Sequence, residues 1–158
     1  MQNMQNMQNM QNDPVYVKAM SLLALSDMSE RRLREKLLSK GFSESEIGRA
    51  LDALREKGYI SDDRLIENLV SYYSRRKYFG RYRIKLELLS KFDRESVDRA
   101  LDGACACVDF KELASEFAIK EKSKGTDREK LIRKLQRLGH DSLSIRYALD
   151  TVGRSEEK

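Results

Sequence analysis

Apolar residues return every three or four positions along most of the chain, the spacing of one face of a helix. Tyr16, Ala19, Met20 and Leu23 fall at i, i+3, i+4 and i+7. Ile66, Leu69, Val70 and Tyr73 repeat that spacing, as do Phe110, Leu113, Ala114 and Phe117. Behind each of these helices comes a second pattern, and three segments superpose. The first holds Leu33, Leu37, Gly41, Phe42, Ile47, Ala50 and Leu51. The second offers Ile84, Leu88, Phe92, Val97, Ala100 and Leu101, and the third Leu131, Leu135, Gly139, His140, Ile145, Ala148 and Leu149. One glycine missing before Phe92 is the only gap needed to keep them in step. Self-similarity over roughly 45 residues marks a helical repeat array. Each repeat reads as helix, loop, helix, glycine turn, helix, with three apolar stripes facing one centre. The predicted fold is all-α: three tandem three-helix, helix-turn-helix-like repeats in an elongated array, over residues 13–60, 61–107 and 108–153.

The boundaries between these stripes carry helix-ending chemistry. Asp13 before Pro14 reads as an N-cap with proline at the first helical position, where the missing N–H costs nothing. Ser43 with Glu46, and Thr126 with Glu129, fit capping boxes. Gly41, Gly58 and Gly139 stand where a helix ends in a left-handed residue, and Asp62 and Asp63 open a helix with favourable negative charge. The connector between first and second helices lengthens from repeat to repeat: Leu23 to Leu33, Tyr73 to Ile84, Phe117 to Leu131. Similar cores with unlike connectors let individual repeats meet a partner differently.

Two ends fall outside the pattern. Residues 1–12 repeat Met-Gln-Asn, too polar to bury, and a disordered tail is expected there and at 154–158. The tract lacks the basic start and apolar segment of a secretory signal, and no apolar run approaches a membrane span. A cytoplasmic protein without membrane association is the expectation.

Charge then changes the picture. Charged residues make up 36% of the 158, with Lys+Arg at 31 against 26 for Asp+Glu. Solvent-washed amphipathic helices account for the total, while the basic excess makes a polyanion a plausible partner. The densest positive segment runs from Arg75 to Lys85: Arg75, Arg76, Lys77, Arg81, Arg83 and Lys85, without an acid, interleaved with Tyr78, Phe79 and Tyr82. Cations neutralise phosphates and aromatic rings stack on unpaired bases, and Gly80 lets the backbone turn tightly or approach a partner. The competing reading has the aromatics closing the core and the cations solvated. A second stripe, Lys130, Arg133, Lys134 and Arg137, lies opposite Leu131, Leu135 and Leu138. The matching helix of the first repeat brings Arg31, Arg32, Arg34 and Lys36, diluted by Glu30 and Glu35.

Catalytic constellations are scarce. His140 takes the place of Phe42 and Phe92 and reads as a packing residue. Cys105 and Cys107 are too close for an easy mutual disulfide, and with His140 they fall short of a zinc ligand set. No phosphate-binding glycine loop or nucleophile–base pair is recognisable. The expectation is a binding protein with no catalytic residue, cofactor or metal.

Three stretches resemble the RecX regulators of the bacterial recombinase RecA: Ser29 to Phe42 (SERRLREKLLSKGF), Lys57 to Arg64 (KGYISDDR) and Arg76 to Leu88 (RKYFGRYRIKLEL). The likeness spans about Val15 to Val152. Leu65-Ile66 stand where that family often has an aromatic–alanine pair. The resemblance implies a protein that binds the RecA filament on single-stranded DNA, along its helical groove, and mostly inhibits its recombinase, ATPase and SOS-promoting activity; a monomer is the simplest form for such a protein. DNA repair and recombination would be its setting. On the residues themselves, the candidate contacts are Arg75, Arg76, Lys77, Tyr78, Arg81, Arg83, Lys85, Lys130, Arg133, Lys134, Arg137, Arg31 and Arg32. A protein binding bare DNA through its basic helices and loop is the alternative, and a scaffold for an acidic protein a third.

Overall fold

The computed structural model describes residues 2–156, and every regular element among them is a helix. In chain order these are α1 (Gln2–Gln11), α2 (Pro14–Leu25), α3 (Glu30–Ser39), α4 (Glu44–Glu56), α5 (Asp62–Lys77), α6 (Arg81–Leu89), α7 (Arg94–Cys105), α8 (Phe110–Lys122), α9 (Arg128–Arg137) and α10 (Ser142–Glu156). From α2 onward the order is the helix, helix, turn, helix series that the apolar pattern predicts. The fold is an all-α helical repeat array. None of these helices is long and apolar enough to cross a membrane.

The chain packs as two bodies. The first takes the residues up to Leu65 together with Lys91–Asp93, the second Ile66–Ser90 with the residues from Arg94 onward. In the first body, α2, α3 and α4 bury Val15, Tyr16, Ala19, Leu33, Leu37, Ile47, Ala50, Leu51 and Leu54 around one centre, with Met28 and Ile60 closing it from the connections. Full burial of each large side chain stabilises by about 1.5–3 kcal/mol.

The caps of this body hold its helices to their lengths. Asp13 Oδ1 accepts from Val15 N at 3.2 Å. Ser43 Oγ accepts from Glu46 N at 3.3 Å while the Glu46 carboxylate accepts from Ser43 N at 2.8 Å, completing the expected box. That backbone hydrogen bond holds the Glu46 carboxyl below its usual range. Ser29 caps α3 and also donates to Lys91 O at 2.6 Å, and Arg31 Nη1 donates to Phe92 O at 3.1 Å. These bonds place Lys91–Asp93 in the first body. Asp62 accepts from Glu30 N at 3.0 Å, and its burial raises its pKa.

Three expectations are corrected. Residues 2–11 form a helix where a disordered tail was expected; Met and Gln favour it and Asn does not, and Asp13 N closes the last turn on Met10 O at 3.1 Å. Met4 is 72% exposed, so α1 owes little to burial. At the other end α10 runs to Glu156, and residues 157–158 lie outside the described residues. The cap of α9 is Asp127, accepting from Lys130 N at 2.9 Å, not Thr126. Thr126 Oγ1 donates instead to Glu121 Oε2 at 3.1 Å.

In the second body, Ala114, Ala118 and Ala148 are fully buried among Leu131, Leu135, Ile145 and Val152. Small side chains on facing stripes let helix axes approach closely, here α8 and α10. Ile66, Val70 and Tyr73 of α5, Ile84 and Leu88 of α6, and Val97, Leu101 and Cys105 of α7 supply its other buried positions.

Candidate functional site

The basic segment of the second body is built from the end of one helix and the start of the next. Arg75, Arg76 and Lys77 occupy the last turn of α5, where positive charge suits the carbonyl end of the helix. Tyr78 then adopts φ 56, the left-handed conformation usually left to glycine, and turns the chain toward α6. Arg81, Arg83 and Lys85 follow on α6. Its N-cap, Gly80, has no side chain to offer and its first turn holds no acid.

This link is clasped to the turn that ends α9. Gly80 N donates to Leu138 O at 2.8 Å. The Nε2–H of His140 donates to Tyr78 O, also at 2.8 Å; a carbonyl only accepts, so the proton sits on Nε2. Burial lowers the His140 pKa, which keeps the ring neutral and leaves Nδ1 a buried acceptor without a partner. The backbones approach so closely that a Cβ on Gly80 would lie 2.3 Å from Gly139 O. A Cβ on Gly139, itself at φ +84, would lie 2.4 Å from Arg83 N. Gly80 is therefore needed for a close approach, and the approach is to the protein's own backbone.

The clasp joins the Arg75–Lys85 segment to the C-terminal end of α9. Its cations are unequally committed. Arg81 pairs with Asp102, Arg83 with Glu87 at 3.1 Å, and Lys85 with Asp98 at 3.8 Å. Arg83 also lies over the Phe79 ring at 5.1 Å and Lys77 over Tyr72 at 5.9 Å. On α9, Lys130 pairs with Asp127 at 3.5 Å and Arg133 with Glu129 at 3.0 Å. Lys134 turns back to Glu121, a buried carboxylate that Lys134 and Lys124 hold down to about 2. Arg75, Arg76 and Arg137 have no ion-pair partner among the described residues. Arg31 and Arg32 stand apart on α3 in the first body, where Arg31 is engaged by Glu35 at 3.9 Å and by Phe92 O.

The aromatics divide the same way. Phe79 stacks on Tyr73 at 5.6 Å between centroids. Tyr78 lies 5.6 Å from Phe117 with Lys120 over its ring at 5.5 Å, so this candidate contact residue is spent on packing. Tyr82 alone of the segment's three aromatics is largely exposed, at 69%.

Comparison with known proteins agrees with this architecture. The family model described as RecX, first three-helix domain, matches residues 16–54. The regulatory protein RecX of Chlorobium phaeobacteroides (strain BS1) is 33% identical over 141 residues, covering 87% of this chain and 92% of that protein. The chain belongs to the RecX family. A second RecX regulatory protein, from Caldanaerobacter subterraneus subsp. tengcongensis, is 30% identical over 138 residues, with 84% of this chain and 67% of that protein covered. The crystal structure of RecX from Lactobacillus salivarius superposes with a TM-score of 0.75 over 86% of this chain and 92% of that one. At 19% identity it speaks for the fold alone. A regulatory role follows from the family at that level.

Within this chain, sequence reasoning found the cations and missed what holds them. His140 was expected to pack like Phe42 and Phe92; it is buried, but it also bonds the Tyr78 carbonyl. Its one signal was a polar residue in an otherwise apolar column. Asp98, Asp102 and Glu121 gave no signal, because an acid's partner across a turn has no fixed sequence spacing. Cys105 is buried and Cys107 exposed, both with free thiols, and the described residues hold no metal-ligating cluster.

Proposed function

We propose that this chain acts on the filament of RecA on single-stranded DNA, restraining its ATPase, recombinase and SOS-promoting activity. The observation that supports the reading is the clasp between residues 78–80 and 138–140, which ties the basic α5–α6 link to the end of the basic helix α9. Arg75, Arg76 and Arg137 on those segments are left to meet phosphate or an acidic protein surface. Lys134, held by the buried Glu121, is committed to the fold, whereas exposed pairs such as Arg133–Glu129 are weak. Attraction of this kind weakens as salt rises.

The test is DNA-dependent ATP hydrolysis by the cognate RecA during titration with this protein at two salt concentrations. Inhibition that weakens with salt is expected. Inhibition well below stoichiometric amounts assigns action to growing filament ends; inhibition near one molecule per several protomers assigns it to the groove along the filament. No effect at severalfold excess, with tight salt-dependent binding to bare DNA, replaces the proposal with a DNA-binding protein independent of RecA.

A further inference from the structure

Beside the clasp lies a cavity of about 480 Å³, inside the range of about 300–1,000 Å³ typical of small-ligand sites. Arg81, Tyr82 and Lys85 form one wall, and Phe110, Gln136 and His140 contribute to the others. We propose that this cavity seats one nucleotide of single-stranded DNA, its base against the Tyr82 ring and its phosphates on Arg81 and Lys85. The proposal deepens the nucleic-acid side of the filament reading and rests on it.

Three observations converge on that ligand. The Tyr82 ring, 69% exposed, has no aromatic or hydrogen-bond partner among the described residues, although Tyr73, Tyr78 and Phe79 are all engaged. Arg81 and Lys85 do have partners, but Asp102 and Asp98 are themselves exposed, at 83% and 52%. Exposed pairs of this kind are weak and exchange readily for phosphate. The Gln136 amide on the cavity wall adds a donor and an acceptor.

The carboxylate of Asp141 also lines the cavity, but it accepts from Ser144 N at 2.7 Å and its charge faces the start of α10. An acidic peptide would use the cations and leave the aromatic ring idle. An unpaired base uses both, since every base has a face to stack. Duplex DNA keeps its base faces covered.

The experiment measures fluorescence anisotropy of a labelled oligothymidylate with the full chain and its Tyr82→Ala and Tyr82→Phe variants, circular dichroism confirming the fold of each. In parallel, an oligonucleotide carrying 5-bromodeoxyuridine is photocrosslinked and the adducts mapped. Tyr82→Ala is expected to weaken binding by about fivefold or more, the loss of one base–aromatic stack. Tyr82→Phe should bind like the parent, with adducts on the Tyr82 peptide. Wild-type affinity in Tyr82→Ala with adducts elsewhere, or no oligonucleotide binding by the parent chain, overturns the cavity assignment. So does polyglutamate displacing the oligonucleotide from parent and Tyr82→Ala alike, which makes the site one for acidic protein. RecA ATPase inhibition is read on the same samples. Inhibition without a Tyr82 effect removes the cavity and leaves the filament reading. A Tyr82 effect without inhibition does the reverse.

Discussion

His140 shows how one substitution in an apolar column changes what a position does. Phe42 and Phe92 fill space, whereas the imidazole fills space and also satisfies the Tyr78 carbonyl. The cost is a ring that must stay neutral. Its folded pKa lies below the ordinary 6.5 because burial penalises the charged form, ahead of the opposing effects of the Tyr78 bond and Asp141. Below 6.5 the unfolded chain takes up a proton that the folded ring resists. The stabilisation is therefore complete above about 6.5 and lost as pH falls through the lowered folded value. Urea-unfolding midpoints measured between pH 7.5 and roughly 5 should fall with pH. This is the chain's only histidine, so His140→Phe should flatten that slope. A slope that survives the substitution would locate the titration elsewhere.

At the scale of elements, the second body depends on two backbones touching at Gly80 and Gly139. Gly139→Ala meets both an unfavourable φ and the backbone of Arg83, while Gly125→Ala, at φ +80, meets open space. Left-handed strain alone costs about 1–2 kcal/mol; overpacking adds about 1–3 kcal/mol. Chemical denaturation should find Gly139→Ala the more destabilising by at least about 1 kcal/mol, and equal losses would mean the contact yields without resistance. The same comparison shows what the sequence could and could not convey. Helix positions, the left-handed glycines at 41, 58 and 139, and the Ser43 box were readable because periodicity and caps are local. Gly80 was readable only as a glycine. Its partner lies 58 residues further on, at Leu138, and no local rule pairs them. For the same reason Tyr78 and Lys134 read as available to a partner: the sequence showed their chemistry, and Phe117 and Glu121 already occupy them.

For the whole molecule, a net charge of +5 is too small to explain polyanion binding by itself, so the arrangement of unpaired cations has to matter. Arg75 and Arg76 are exposed and have no ion-pair partner among the described residues, and the double variant Arg75→Ala, Arg76→Ala should change stability by less than about 0.5 kcal/mol. If both meet phosphate, the slope of log affinity for the DNA filament against log salt should become shallower by about 1.4, roughly 0.7 for each lost contact. An unchanged slope would assign the phosphate contacts to other cations. The clasp has a further consequence, for proteolysis. Trypsin cuts after lysine and arginine only where the backbone can be drawn out into an extended strand, and Arg75–Lys85 is the segment richest in such residues. Tied at both Tyr78 and Gly80, it should yield only when the second body opens, long after a terminal site such as Arg154. Early cleavage between Arg75 and Lys85 in a limited digest would mean that the clasp spends much of its time undone.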